Sequence, residues 1–268
     1  MIQNRIVHLR DRDGNIYGEL KQNLESFTNF SKHSHTTFNL CMIGDGAIDI
    51  IYHPNDLVRL HPQQIAIFYP QEVHITGNPS IASLPYYNLH LEVSWVMDII
   101  QEECSSDELI YLTSHIIEDC IYAKELTSII KQINDNHTSK IEVSIANLII
   151  EIFRNHTAKS GSIETEKLFD EIKAYILEHI DQEISATTIA NHTGYSTAHI
   201  SRRFKEQFGL TLQAFLIDKR IQHAKALMLK DNKLSLTEIA LEAGFYDQNH
   251  FIKNFKKAYS ISPNAYKV

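Results

Sequence analysis

The last hundred residues contain an internal repeat, which restricts the possible fold more than any other feature of the chain. An Ile-Ala pair, a Gly-aromatic pair and a Phe-Lys pair occur in the same order twice. The pairs begin at Ile189, Gly194 and Phe204 in the first copy and at Ile239, Gly244 and Phe255 in the second. The first two pairs are therefore 50 residues apart in the two copies, and the last pair is 51 residues apart. A repeat of this length is typical of one supersecondary unit used twice.

The first copy predicts a helix, a tight turn and a second helix. Ser185 or Thr187 can cap the first helix, and Gly194 adopts a turn conformation at no steric cost. Ser196 can then cap the second helix, whose Phe204 falls on the buried side at helical spacing. One helix-turn-helix unit is common in all-α proteins, so this copy alone would not indicate a function.

The second copy has the same features, with Gly244 at the turn and Asp247 as the cap of the second helix. In both copies the polar side of the second helix carries arginine, lysine or amide side chains. Arginine pairs with guanine edges and Asn or Gln with adenine edges, while cations hold phosphates. The predicted DNA contacts are Ser196, Thr197, Ala198, Ser201, Arg202, Arg203 and Lys205 in the first copy, and Gln248, Asn249, His250, Lys253 and Lys256 in the second.

The segment between the copies predicts one uninterrupted helix over Leu212–Leu229, with an apolar side that includes Leu216, Ile221 and Ala224. Such a helix spans about 27 Å at ~1.5 Å per residue. This length is close to the ~34 Å that separates successive major grooves on one side of DNA.

The charge of the chain is divided along its length. Residues 185–268 contain 12 Lys and Arg against 6 Asp and Glu, a net of +6, whereas residues 1–184 have a net of −14. Two solvated surfaces can differ in this way by chance, and charge alone does not exclude that. The alternative is a basic module that contacts phosphate, attached to a body that does not.

The remaining composition is that of a globular protein, with 43% hydrophobic and 22% charged residues. Three cysteines, an odd number, argue against a disulfide framework and fit a reducing cytosol. The charged N-terminal residues are not followed by the apolar region of a signal peptide, and no stretch approaches the ~20 apolar residues of a membrane span. We therefore expect a cytoplasmic protein with no membrane association.

Residues 1–93 predict β structure, because short runs of β-branched and aromatic residues alternate with turn signals. The clearest signal is a hairpin around Asp13–Asn15. Many short strands favour a sandwich or a small barrel.

Helical periodicity begins near residue 94. Ser94 is a candidate cap for the first helix. One helical face is predicted to contain Ile116, Ile117, Cys120 and Ile121, and a second one Leu126, Ile129, Ile130 and Ile133. A last stripe over residues 141–152 can pair two protomers or pack on the barrel, and the pattern does not distinguish these. Polar residues near Gly161 then predict a linker.

Over residues 168–268 the sequence resembles the AraC/XylS family of bacterial transcription activators. The matching segments are IANHTGYSTAHISRRFKEQFGLTLQAFL, RIQHAKALML and EIALEAGFYDQNHFIKNFKKAYSISPNAYK. The resemblance implies an α+β multidomain protein: an N-terminal cupin-like β-barrel with following helices, and a C-terminal all-α domain with two helix-turn-helix units joined by a long helix. The expected division is 1–155 for effector sensing and dimerisation, 156–165 for the linker and 166–268 for DNA binding.

The N-terminal half resembles the family's cupin-like sensor barrel in the segments HSHTTFNLCMIGDGAIDI and LHPQQIAIFYPQEVH. In enzymatic cupins two such histidines, a following Glu and a later His bind a metal; the matching residues here are His33, His35, Asn39 and His74. Three imidazoles suit zinc or iron, but an amide is a poor ligand and the family's sensor barrels mostly lack metal. We therefore expect no metal and no cofactor, but a small-molecule pocket formed by His33, His35, Phe38, Asn39, Tyr69, His74 and His90.

The resulting hypothesis is a sequence-specific DNA-binding activator that is controlled by a small-molecule effector. Its expected partners are double-stranded promoter DNA, the effector, RNA polymerase and a second copy of the chain. The alternative is a cupin-type metal-dependent enzyme with an appended helical domain. No catalytic residue is predicted, since no nucleophile-base set or phosphate-binding glycine loop occurs at motif spacing.

Overall fold

The computed structural model describes residues 5–23, 30–52, 56–77, 80, 84–104, 112–135, 140–156, 167–208, 210–230, 233–259 and 261–267. Their N-terminal part forms two antiparallel sheets that face each other as a barrel, followed by helices, and their C-terminal part is helical. The predicted fold class is thus confirmed.

The first sheet has six strands in the spatial order β1-β2-β9-β4-β7-β10. Their bounds are β1 Arg5–Arg10, β2 Ile16–Asn23, β4 Phe38–Ile43, β7 Ile65–Phe68, β9 Tyr86–Leu91 and β10 Ile116–Ile117. The predicted hairpin is confirmed, because β1 and β2 pair with each other across the turn at Gly14.

The second sheet has four strands in the order β3-β8-β5-β6. Their bounds are β3 Phe30–His33, β5 Ile48–Tyr52, β6 Asp56–Leu60 and β8 His74–Gly77. The turn at residues 44–46 carries the chain from the first sheet to the second, and the inner faces of both sheets bury Cys41, Ile50 and Phe68 between them.

Three helices cover the outer face of the six-stranded sheet: α1 Val93–Cys104, α2 Cys120–Asn134 and α3 Ile141–His156. The stripe over residues 141–152 is buried in this core, where Ile145 and Ile149 are 0% exposed. Of the two roles left open for the stripe, its side chains therefore serve packing on the barrel.

Two local expectations were wrong. The helix expected after Ser94 begins one residue before it, since the Val96 amide already bonds to the Glu92 carbonyl, so Ser94 is not the cap. Ile116 and Ile117 do not share a helical face with Cys120 and Ile121 but form β10, paired with β7. A two-residue strand is too short to show its period, and its pairing with a distant strand overrides the local pattern.

The C-terminal part contains seven helices among the described residues: α4 Lys167–Glu178, α5 Ala186–Thr193, α6 Thr197–Phe208, α7 Leu212–Lys230, α8 Leu236–Glu242, α9 Gln248–Tyr259 and α10 Pro263–Tyr266. One core surrounds the contacts of α4, α5 and α6 with the first half of α7, and another surrounds α8, α9 and α10 with its second half. The predicted joining helix is thus confirmed. Of the predicted linker, only residue 156 belongs to the described residues, as the end of α3.

Candidate DNA-binding faces and the barrel cavity

The first helix-turn-helix unit is built by the signals that the sequence shows. Ser185 rather than Thr187 caps α5: its Oγ accepts a hydrogen bond from the Thr188 amide, and its own amide donates one to Thr188 Oγ1. Gly194 ends the helix in the left-handed conformation, at φ 77°. Ser196 Oγ then accepts a hydrogen bond from the His199 amide at 3.2 Å and caps α6.

The polar face of α6, which carries the predicted DNA contacts of the first unit, points away from the core. Ile200 and Phe204 are fully buried on the opposite side, so the period of the helix exposes the polar residues. The predicted contacts Ser196, Thr197, Ala198, Ser201, Arg202 and Lys205 are exposed, and Arg203 is half-buried. The Arg202 guanidinium is thus free of the core and can reach a base edge.

The second unit has the same construction. Ser235 and Glu238 form a capping box at the start of α8, and Gly244 adopts φ 81° at the turn. Asp247 Oδ1 accepts a hydrogen bond from the His250 amide at 2.7 Å and caps α9, while Phe251 is fully buried. Both units therefore present their second helix in the same way.

The predicted DNA contacts on α9 differ in exposure: some are fully exposed, and others are half-buried against neighbouring side chains. Asn249, Lys253 and Lys256 are exposed. Gln248 is half-buried, and its Oε1 accepts a hydrogen bond from Thr237 Oγ1 at 2.8 Å, which orients the amide. His250 is half-buried against the Phe245 ring at 5.4 Å between centroids. Asn249 is consequently the amide best placed to contact a base.

Two exposed tyrosines lie in the turns of the helix-turn-helix units and were not among the predicted DNA contacts. Tyr246 is 90% exposed directly before the α9 cap, at the extra residue of the second copy. Tyr195 occupies the turn of the first copy and stacks on His199 at 4.9 Å between ring centroids. The one-residue offset between the repeats was the available signal for Tyr246, because it places an additional side chain beside the helix N-terminus.

A cavity of about 50 Å³ lies where the barrel meets α7 and α9. Four of the predicted effector residues line it: His33, His35, His74 and His90. The opposite wall comes from the C-terminal helices through Asp218, Gln222 and Tyr259. The cavity is therefore shared between the barrel, the joining helix α7 and α9, the second helix of the second unit.

The histidines form a close cluster. The His33 and His74 rings lie 4.4 Å apart between centroids, His33 and His35 4.9 Å, and His35 and His74 5.0 Å. Burial, followed by the neighbouring His33, lowers the pKa of His35 and of His74 well below the ordinary value. Burial also lowers the pKa of His90 to about 3, so these three imidazoles are neutral near pH 7.

Phe38, Asn39 and Tyr69 do not line the cavity, contrary to the sequence-based prediction. Phe38 and Tyr69 face the helical layer, where Tyr69 Oη accepts a hydrogen bond from the Leu112 amide at 2.6 Å. Asn39 is fully buried, and its Oδ1 accepts a hydrogen bond from Thr37 Oγ1 at 2.7 Å. Thr37 also contacts His90 Nδ1 at 3.2 Å, so Asn39 supports the wall of the cavity from behind. Side chains alternate between the two faces of a strand, and the prediction had not assigned the faces.

A buried charged contact joins the barrel to the helices, and the sequence prediction missed it. Lys225 Nζ in α7 donates to Glu19 Oε1 in β2 at 2.9 Å, and Tyr266 Oη donates to Glu19 Oε2 at 2.7 Å. Burial raises the pKa of Glu19, but the Lys225 charge and the hydrogen bonds from Lys225 and Tyr266 outweigh it and lower the pKa to about 2. Burial lowers the pKa of Lys225, but the Glu19 charge raises it by more than burial lowers it. The net shift of the Lys225 pKa is therefore upward. The pair is charged.

Lys21 lies on β2 next to this pair and lines the cavity. Burial lowers its pKa to about 8, although Glu19 acts in the opposite direction. Glu19 and Lys21 occupy alternate positions of β2 and therefore lie on the same face of the strand.

Ser34 connects the histidine cluster to α7. Its Oγ donates to Asp218 Oδ2 at 2.7 Å, and its carbonyl accepts a hydrogen bond from Gln222 Nε2 at 3.2 Å. Ser34 lies between His33 and His35, so the segment that carries two of these histidines is hydrogen-bonded to the helix that joins the two helix-turn-helix units.

Comparison with known proteins agrees with this geometry. Residues 189–267 match the family model described as a helix-turn-helix domain. The melibiose operon regulatory protein of Escherichia coli is 23% identical over 260 residues, covering 88% of this chain and 83% of that protein. The uncharacterized HTH-type transcriptional regulator YbfI of Bacillus subtilis is 22% identical over 229 residues, covering 82% of this chain and 81% of that protein.

The C-terminal part of the chain is a helix-turn-helix domain of the AraC type, and the named relatives are transcriptional regulators. Solved structures of ToxT of Vibrio cholerae share the fold of the whole chain. An apo ToxT variant has a TM-score of 0.59 at 12% identity and covers 94% of this chain and 97% of its own. ToxT bound to an unsaturated fatty acid has a TM-score of 0.56 at 14% identity, and the match covers 100% of this chain and 98% of the ToxT chain. In the part of the chain that the structure describes, no helix is both long enough and apolar enough to cross a membrane.

Proposed function

We propose that this AraC-family regulator binds promoter DNA through α6 and α9 and that a small molecule at the barrel cavity controls this binding. Residues 1–155 would sense the effector and pair two copies, residues 156–165 would link, and residues 166–268 would bind DNA. The bound regulator would act as an activator that recruits RNA polymerase in the cytoplasm. The observation that carries the proposal is the duplicated unit, which exposes arginine, lysine and amide side chains on the second helix of both copies.

Joint binding to one DNA duplex is supported by the length of α7. Its 19 residues span about 28 Å at ~1.5 Å per residue, in keeping with successive major grooves. In this arrangement Arg202 and Asn249 would contact bases, and Lys205 and Lys256 would contact phosphates.

Control by an effector is supported by the position of the cavity. At about 50 Å³ it holds only a few water-sized groups, whereas organic ligands occupy roughly 300–1,000 Å³. An organic effector would therefore have to separate the barrel from α7 and α9. Since ligand can act only through different affinities for two arrangements, binding would favour the separated one.

The chemistry of the cavity favours an effector with an anionic group next to an apolar body. Lys21 supplies a buried cation, and Ile48 and Phe68 supply apolar wall. ToxT, which shares this fold, has been solved with an unsaturated fatty acid. We propose a carboxylate as the effector class for this chain.

Pairing of two copies is supported by apolar side chains on the outside of the helical layer. Ile121 of α2 is 60% exposed and Val143 of α3 is 57% exposed. We propose that these faces contribute to a homodimer. Because the named relatives are transcriptional regulators, we propose no catalytic activity for the barrel.

The DNA-binding proposal is tested with the full chain and a DNA library in a binding-site selection. Wild type should recover one sequence with two half-sites about one helical turn apart, and Arg202→Ala and Asn249→Ala should each lose preference at different bases. Lys124→Ala, an exposed cation on α2, serves as the matched control and should leave the recovered sequence unchanged. Recovery of random sequence by the wild type would refute the proposal.

The effector proposal is tested by measuring DNA affinity while short-chain and long-chain carboxylates are titrated into the full chain. At least one should change the affinity, and Lys21→Met should weaken the response without changing the affinity in the absence of carboxylate. If the Lys21→Met and wild-type chains respond equally, the assignment of the effector to this cavity is wrong.

A further inference from the structure

Three histidines converge where the barrel meets α7, from the end of β3, the segment after it and the start of β8. His33 ends β3 and is the direct antiparallel partner of His74, the first residue of β8. His35 follows His33 by two residues and faces both of them. The sheet register, rather than a flexible loop, thus brings the first pair together.

The ligand atoms of these three side chains all lie within 4.8 Å of one another. In a tetrahedral site with metal-nitrogen bonds of 2.0–2.1 Å, the nitrogens lie about 3.4 Å apart. Small rotations of the imidazoles therefore convert the cluster into a binding site. The cavity volume of about 50 Å³ matches an ion with one or two further small ligands, since a water needs roughly 10–15 Å³ on this scale.

The surroundings of His74 orient it as a metal ligand. Its Nδ1 lies 3.1 Å from the carbonyl oxygen of Glu72, which directs the other ring nitrogen to the cluster. A metal-binding histidine typically donates its second nitrogen to a carbonyl or carboxylate in this way. The ring also stacks on Phe68 at 4.1 Å between centroids, which limits its rotation.

A fourth imidazole borders the cluster. His90 lies 5.0 Å from His35 between ring centroids, and its buried Nε2 has no hydrogen-bond partner among the described residues. An unpaired polar atom in a buried site is costly unless a ligand or a water satisfies it. A water or anion on the fourth position of a bound ion would supply that partner.

We propose that His33, His35 and His74 bind one divalent first-row transition ion, with Zn²⁺ as the reference, and that the ion governs the contact of this segment with α7. Neutral imidazoles favour zinc, copper, iron or nickel over magnesium or calcium. The sequence predicted no metal, because Asn39 stands where enzymatic cupins have a metal-binding Glu. Asn39 is not part of the histidine cluster, however, and three protein ligands with an open position are enough to bind an ion.

The charges around the site set its consequence. Asp218 lines the cavity, and Lys21 lines it from the barrel side. A divalent ion is attracted by Asp218 and opposed by Lys21, so its arrival alters both the Ser34–Asp218 hydrogen bond and the charge near Glu19. This regulatory part depends on the proposed DNA-binding function, whereas binding of the ion does not.

The binding test uses the tag-free full chain, stripped with a chelator and titrated with Co²⁺ alone. Wild type should bind one equivalent with the visible absorption of tetrahedral Co²⁺, and one equivalent of Zn²⁺ should displace it. His35→Gln and His74→Gln should each weaken binding by 10-fold or more. His61→Gln, an exposed histidine outside the cavity, should bind like wild type. Absence of binding, or equal binding by all variants, would overturn the proposal.

A fold control keeps this test decisive. Circular dichroism establishes that each variant retains the native fold, and His33→Gln, at a half-buried position, replaces a variant that does not. DNA affinity is then compared with and without Zn²⁺ for the wild type and His74→Gln. A Zn²⁺ effect confined to wild type supports the regulatory part, and no effect despite Co²⁺ binding refutes that part. DNA binding without Co²⁺ binding refutes the metal site while leaving the proposed function intact.

Discussion

Lys225 and Glu19, 206 positions apart in the sequence, form a buried ion pair of 2.9 Å between the long helix α7 and strand β2. It joins the barrel to the C-terminal helices. Two charges removed from water are tolerated only because each compensates the other and Tyr266 supplies a further hydrogen bond. The junction is therefore sensitive to the loss of either partner.

Lys225→Met should destabilise the protein by about 3–5 kcal/mol, because it leaves the Glu19 carboxylate buried without its cation. Combining it with Glu19→Gln should recover most of that loss. The measurement is urea unfolding of the full chain at pH 7. Arg59→Ala, which breaks the exposed 2.9 Å pair with Asp49, is the control and should cost no more than about 1 kcal/mol. Equal effects of Lys225→Met and Arg59→Ala would contradict the burial argument.

The same pair predicts a dependence of stability on pH. The folded pKa of Glu19, about 2, lies below its ordinary value of 4.5, so its contribution is present above pH 4.5 and is lost as pH falls towards 2. Between pH 7 and pH 3 the loss should be about 2 kcal/mol. The Glu19→Gln, Lys225→Met double variant lacks this term, so its stability should fall less than that of wild type in unfolding experiments at both pH values. Parallel curves for the two proteins would disprove the assignment.

Arg202→Ala should relax sequence preference at one base step and weaken specific binding by about 1–3 kcal/mol. Lys256→Ala should weaken binding to all sequences alike and reduce the slope of log affinity against log salt by about 1, since a phosphate contact carries no sequence information. Fluorescence anisotropy with the selected site and with single-base variants, over a series of salt concentrations, distinguishes the two. A uniform loss for Arg202→Ala would remove it from the base-reading residues.

The two turn glycines should differ sharply in their tolerance of a methyl group. Gly194 and Gly244 both have positive φ, but a Cβ at Gly194 meets no atom within 4 Å. A Cβ at Gly244 would overlap the Ile180 carbonyl oxygen and lie 2.7 Å from Arg220 Nε. Gly194→Ala should cost about 1–2 kcal/mol from backbone strain alone, and Gly244→Ala more than about 3 kcal/mol. Thermal unfolding with far-ultraviolet circular dichroism measures both, and similar costs would show that the second turn can move away.

Features encoded locally were predictable from the sequence. The caps at Ser196 and Asp247, the turn at Gly194 and the joining helix follow from side-chain chemistry within a few residues, and the structure has them. The apolar stripe of α3 was recognised, but only the structure shows that it packs on the barrel.

Features that depend on contacts between distant segments were not predictable. Strand β10 exists because Ile116 pairs with Ala66, and its own sequence gives no such indication. The faces of β4 could not be assigned without its neighbours, so Phe38 was placed in the cavity although it faces the helical layer. The Glu19 contact joins elements from opposite halves of the chain, and without a partner in view a charged strand residue predicts only an exposed position.

The position of Ser34 has a consequence for how graded the response of this regulator is. Hydrogen bonds to oxygen have donor–acceptor distances of about 2.5–3.2 Å, so a displacement smaller than an atomic radius takes the two bonds from this residue to α7 out of that range. A signal that the proposed effector passed through so short a tether would be all-or-none in each molecule. Intermediate transcription in a population would then reflect the fraction of molecules released, not a partial loosening of every one.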